Sequence, residues 1–156
     1  MSWLAPVKPA SQSQAQAQPQ ANVSPEAQAQ AQARRIHQIV RLNPAHYAAY
    51  KESHANVWPA VAAQIRQSNI TDYSIAYDRE SSLLFASFKY TGRDWEADMA
   101  AMRAHEPTRR WWAMTDGFQE SVNPGAVSSE KGGTVGEDGK KVPGWWKECE
   151  EVFYLP

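Results

Sequence analysis

The sequence predicts an α+β fold of the ferredoxin-like βαββαβ type, an antiparallel sheet with helices on one face, and three observations predict it. A half-buried strand pattern runs straight into a helix start, two β-type runs follow with a polar turn between them, and a helical stripe is followed by an apolar run at the C-terminus. In order, Arg35 to Leu42 alternates through Ile36, Gln38, Val40 and Leu42 as a strand with one buried face does. Asn43 then caps and Pro44 opens a helix, because Pro already holds the φ of a first turn. That helix is expected to run to about Gln67 with a bend at Pro59, whose ring clashes with the preceding turn. Ile70 to Tyr77 and Leu83 to Tyr90 form a hairpin around Asp78 to Ser82. Trp95, Met99 and Met102 share a helical stripe within Arg93 to Ala104, and Pro107 opens a second short helix to about Thr115. Glu151 to Leu155 reads as the closing strand.

Two stretches stand apart from this plan. Residues 1–33, Gln/Ala-rich from Ala10 onward, bury too little apolar area to offset ordering and are expected to be a disordered tail, with a frayed helix as the alternative. Residues 34–156 then form one domain with one core. Within it, 131–146 carries five of the eight glycines and is expected to be an inserted surface loop ending at Trp145 and Trp146. An inert insertion and a lid that closes over a ligand are the two readings of it.

The 16 Lys and Arg against 17 Asp and Glu give a net charge of −1, without the excess of cations that nucleic-acid binding rests on. No run approaches the ~20 apolar residues of a membrane-spanning helix. One cysteine, Cys149, excludes an internal disulfide and a thiolate zinc site. The expectation is a soluble cytoplasmic protein with no nucleic-acid or membrane partner.

Among four histidines, His37, His46 and His105 fall at strand or helix ends, where solvated positions are common. His54 differs, because helical spacing sets Tyr50, His54 and Trp58 on one face as a phenol, an imidazole and an indole. An amphipathic core face is the plain alternative. Trp111 and Trp112 point about 100° apart on a helix, so that one enters the core while the other lines a cleft. With Tyr73 and Tyr77 nearby on a strand, such rings suit a pyranose, whose C–H faces stack while its hydroxyls take hydrogen bonds. No metal site is expected, since His46 and His54 lie eight apart with no carboxylate at ligand spacing. Phosphate-loop and nucleophile-elbow motifs are absent.

The runs at 50–59 (YKESHANVWP), 72–78 (DYSIAYD), 83–86 (LLFA), 110–112 (RWW) and 151–156 (EVFYLP), in that order, resemble the L-rhamnose mutarotase family. The resemblance implies a dimeric α/β barrel of ferredoxin-like subunits and cofactor-free interconversion of the α and β anomers of L-rhamnose by a homodimer. It implies His54 as the proton donor, with Tyr50, Tyr73, Trp111 and Trp112 binding the sugar. The inserted loop and the Gln/Ala tail depart from the family's pattern. A haem-degrading or cofactor-free monooxygenase on the same barrel, and a non-enzymatic dimeric binding module, are the alternatives.

Overall fold

The computed structural model of the protein describes residues 33–155, so the expected tail at 1–33 lies outside the described residues save for its last position. Strand β1 (Arg34–Leu42) is central and alternates as expected, with Ile36, Val40 and Leu42 buried on one face. Strands β2 (Ile70–Asp78) and β3 (Leu83–Tyr90) form the hairpin, and β3 lies antiparallel to β1 with Ile36 opposite Phe88 and Val40 opposite Leu84. The strand order is β2-β3-β1-β4, with β4 at Gln119–Glu120 and a further strand, β5 (Lys147–Cys149), also on β1.

The edge beside β1 is one strand position filled by two pieces of chain. Leu42 and Arg41 pair with Gln119 and Glu120, and Ile39, Gln38 and His37 pair with Lys147, Glu148 and Cys149. Pairing along this edge therefore stops at Arg41, skips Val40 and resumes at Ile39, after the whole of Ser121–Trp146 has left the sheet and returned. The expected closing strand at Glu151–Leu155 is not formed. No strand pairs with it among the described residues, and Val152, Phe153, Tyr154 and Leu155 stand exposed. Its run of β-branched and aromatic residues reads as a strand, but β1's edge is already taken by Lys147–Cys149.

Helices cover one sheet face only. Asn43 caps a 3-10 turn (Pro44–His46) by accepting from the Ala45 N–H, and α1 (Tyr47–Ala55) follows. The long helix expected through Gln67 is broken, not bent. Pro59 forces Trp58 into an extended conformation at ψ 129°, and a separate helix α2 (Pro59–Gln67) begins there. Helix α3 (Trp95–Ala104) is capped by Asp94, which accepts from the Ala97 N–H, and α4 (Glu106–Asp116) opens with Pro107.

The core lies between these helices and the in-facing strand residues. Ile36, Ile70, Phe88, Tyr90 and Met102 form one cluster, and Val40, Leu42, Tyr50 and Leu84 form another. Each such buried side chain contributes about 1.5–3 kcal/mol, which fixes the strand register because a one-residue slip would turn the whole set outward. The other face of the sheet, carrying Ile39, Leu83 and Phe85, has no layer of described residues packed over it.

Candidate active site

Helix α1 sets Tyr50 and His54 one turn apart, and their rings stack with centroids 4.1 Å apart. The imidazole Nδ1 lies 2.9 Å from the Tyr50 carbonyl oxygen. A carbonyl only accepts, so Nδ1 carries the hydrogen, and in the neutral ring Nε2 keeps its lone pair. Burial pulls the pKa of His54 below 6.5, and the bond to the Tyr50 carbonyl opposes that shift only in part. Trp111 meets the imidazole edge-on at 5.3 Å, and Trp58, although outside the helix, still meets Trp111 edge-on at 5.4 Å. The guanidinium of Arg110 lies over the Trp58 ring.

Four of the five expected site residues, His54, Tyr73, Trp111 and Trp112, line one cavity of about 1210 Å³ between the helices and the in-facing side of the sheet. Trp111 is buried, and Trp112 is half-buried against the cluster around Phe88. Tyr50 is not on the cavity wall. It is 6% exposed and packed behind His54, and its hydroxyl is buried with no hydrogen-bond partner among the described residues. Burial, with the Tyr73 phenol nearby, pushes its ionisation well above the ordinary value, against a smaller pull from the Gln119 side chain.

Tyr73 owes its position to a bulge. Thr71 faces Lys89 and Ser74 faces Ser87, so β2 carries one residue more than β3 between those rungs. The extra residue turns Tyr73 to the helix side, where its ring lies 5.1 Å from Phe88. Asp72 takes the left-handed conformation at φ 48°, and its carboxylate is held from the outer face by Arg35 at 2.5 Å and Lys89 at 3.5 Å. These cations hold the Asp72 carboxyl below its ordinary range, the Arg35 hydrogen bond contributing most.

The glycine-rich stretch is an ordered hairpin. Val135 pairs with Lys141, and Gly133 and Val142 donate to the carbonyls of Val142 and Thr134 respectively. Gly139 at φ 76° turns the tip. Its base is tied down where the chain re-enters the sheet: Ser121 Oγ donates to the Trp145 carbonyl, Asn123 Nδ2 to the Gly144 carbonyl, and Trp145 Nε1 to Gln119 Oε1. Ser129, ahead of the hairpin, donates through its N–H and hydroxyl to the Asp116 carboxylate, whose pKa burial raises. Trp145 and Trp146 line the cavity, as does Gln38 on β1. Gln38 was missed as a site residue, though its signal was present: it is the one polar side chain among the in-facing positions Ile36, Val40 and Leu42. Among the described residues no group of three or more His, Cys, Asp and Glu side chains is placed to hold a metal ion, and no helix is long and apolar enough to cross a membrane.

Comparison with known proteins places this arrangement. A family model described as L-rhamnose mutarotase matches residues 35–155. A protein of that name from Formosa agariphila is 35% identical over 117 residues, 74% of this chain and 92% of that protein. The L-rhamnose mutarotase of Verminephrobacter eiseniae is 40% identical over 72 residues, a match that spans 46% of this chain and 65% of that relative. The crystal structure of an L-rhamnose mutarotase from Formosa agariphila superposes with a TM-score of 0.54 at 25% identity, covering 79% of this chain and 99% of that one. With the match running from the first strand to the last described residue, the chain belongs to the L-rhamnose mutarotase family.

Proposed function

We propose that this protein interconverts the α and β anomers of L-rhamnose, with His54 as the group that moves the proton. The observation that carries the reading is the imidazole's state: Nδ1 is committed to the Tyr50 carbonyl, Nε2 bears a free lone pair, and the ring stands at the wall of a cavity lined by Tyr73, Trp111 and Trp112. Neutral His54 takes the proton of the anomeric hydroxyl as the bond from the anomeric carbon to the ring oxygen opens. The imidazolium returns that proton to the ring oxygen. Both oxygens sit on one carbon, so one imidazole edge serves both. The free aldehyde turns about its bond to the next carbon and closes on the other face. Trp111 and Trp112 supply apolar faces for the ring, Tyr73 a hydroxyl for the sugar, and Tyr50 holds the imidazole.

The experiment is magnetisation exchange between the α and β anomeric protons of L-rhamnose by NMR. Exchange should accelerate in proportion to added protein, and an unchanged spontaneous rate overturns the reading. The pH dependence is a separate expected outcome. A histidine depressed by burial stays neutral to lower pH, so the acid limb of kcat/KM should lie below the 6.5 of an ordinary imidazole. The same depression makes the fold lose stability only as pH falls from 6.5 through the folded-state value, where the unfolded chain takes up the proton first. An acid limb at 6.5 or higher would show that burial does not set the base.

The reading extends to a homodimer in the cytoplasm. Phe85 is 45% exposed on the uncovered sheet face beside Ile39 and Leu83, a surface that a second copy's sheet would cover, and the unpaired thiol of Cys149 suits a reducing compartment. Sedimentation should give twice the monomer mass, with Phe85→Lys shifting it toward the monomer. A monomer at tens of micromolar, a typical range for weak association, sets the dimer aside.

A further inference from the structure

The cavity does not end at the tryptophans beside His54. It continues past Arg66 on α2 and along Trp95 and Met99 on α3 to the hairpin, and its roughly 1210 Å³ exceed the ~300–1,000 Å³ of a cleft that takes a drug-sized ligand. One pyranose ring fills only part of such a space. The far end has its own walls, because the Gly132–Gly144 hairpin is fastened across to α3. Lys141 Nζ lies 2.9 Å from Glu96 Oε1, and Arg103 Nη1 donates to the Gly132 carbonyl at 3.5 Å.

That end shares an aromatic face with the His54 end and adds charged groups. Trp95 is half-buried and held in place by Tyr90, edge-on at 5.0 Å, and by Phe88, stacked at 6.4 Å, so it presents a fixed aromatic surface to the cavity. The same cavity is lined by Arg66, Arg103 and the Glu96–Lys141 pair. A rigid indole flanked by planar donors and a carboxylate is what a sugar ring requires, since its C–H face stacks and its hydroxyls pair with charged groups.

We infer that the hairpin and Trp95 form a second saccharide subsite, so that the protein exchanges the anomers of a rhamnose residue at the reducing end of an oligosaccharide, with the next sugar lying along α3 beneath the hairpin. The inference rests on the mutarotase reading. Ring opening needs only the free anomeric hydroxyl and the ring oxygen of the reducing residue, and no bond to the second sugar is made or broken.

The hairpin can be removed cleanly. A Cβ built on Gly132 would stand 3.0 Å from the Gly144 Cα, so the two positions are neighbours, and one peptide link spans ~3.8 Å between Cα atoms. Joining Gly132 to Gly144 deletes 133–143 and spares every residue placed at the His54 end. Anomer exchange would be measured for L-rhamnose and for a rhamnosyl-rhamnose disaccharide with a free reducing end. In the intact protein the disaccharide should show a KM about tenfold lower, a difference worth ~1.4 kcal/mol. In the excised variant the two KM values should converge, while kcat and KM for L-rhamnose stay within about twofold. Arg66→Ala, at an exposed position, should raise the disaccharide KM alone. A disaccharide that is not exchanged by the intact protein, or whose KM is the same with and without the hairpin, overturns the subsite. Absence of exchange with L-rhamnose itself would instead sink the mutarotase reading, and titration of the disaccharide by tryptophan fluorescence then tests the subsite separately: equal affinity for intact and excised protein overturns it.

Discussion

Replacing His54 with alanine is expected to slow anomer exchange by about 10²–10⁴-fold, the usual value of general acid–base assistance, while the fold survives. The fold survives because His54 is only half-buried and alanine is the stronger helix former. The Tyr50 carbonyl, which loses the Nδ1 bond, also accepts from the Ser53 hydroxyl at 2.8 Å and stays satisfied. The space left beside Trp111 suits free imidazole, so added imidazole should restore part of the rate in the alanine variant and leave the intact protein unaffected. If the variant exchanges within about tenfold of the intact protein, His54 is not the proton-transfer group.

The second large effect is on stability. Phe88→Ala is expected to cost about 3–5 kcal/mol, a substantial part of the ~5–15 kcal/mol that holds a typical domain together. Phe88 is 4% exposed, packs with Ile36, Ile70, Tyr90 and Met102, and supports the rings of Tyr73 and Trp95. Its loss opens a cavity under both walls of the cleft. The midpoint of thermal unfolding should fall by roughly 10 °C or more. Phe88→Leu, which keeps most of the volume, should cost clearly less. A calorimetric shift of only a degree or two for the alanine variant would mean that the sheet does not pack against α3 as described.

Elements whose signal is local were legible in the sequence. The alternation of Ile36, Val40 and Leu42, the Asn43–Pro44 start and the hairpin from Ile70 to Tyr90 all stand where their patterns put them. What was not legible depends on partners distant in sequence. The run at Glu151–Leu155 has a better strand pattern than Lys147–Cys149, yet pairing went to the latter, because an edge strand is chosen by where the chain meets β1. The break before Pro59 was half legible: proline announces a disturbance, but whether the helix bends or stops depends on the residue before it, and Trp58 is held by its ring against Trp111.

The site divides in the same way. Helical spacing singled out His54 beside Tyr50 and Trp58, and residue type singled out Trp111 and Trp112, but only the family resemblance joined the two groups in one site. Tyr73 reaches the cavity through a bulge that is visible only in the pairing of β2 with β3. Tyr50 has the right spacing, and its buried ring stacks on the imidazole without lining the cavity. Residue type cannot show which of the two stacked rings lines it.

The divided edge strand has a consequence for engineering. Its two halves keep a single register around Ser121–Trp146, and the base of that excursion is sutured by the bonds from Ser121 and Asn123 to the carbonyls of Trp145 and Gly144. Lengthening a loop whose ends are already fastened costs only about 0.6 kcal/mol per doubling. The Val135–Lys141 rung is therefore a grafting point. Foreign sequence placed between Gly136 and Gly139, outside the cavity lining, would leave the sheet's pairing undisturbed, which makes this edge a place to attach a reporter or a new recognition loop without redesigning the domain beneath it.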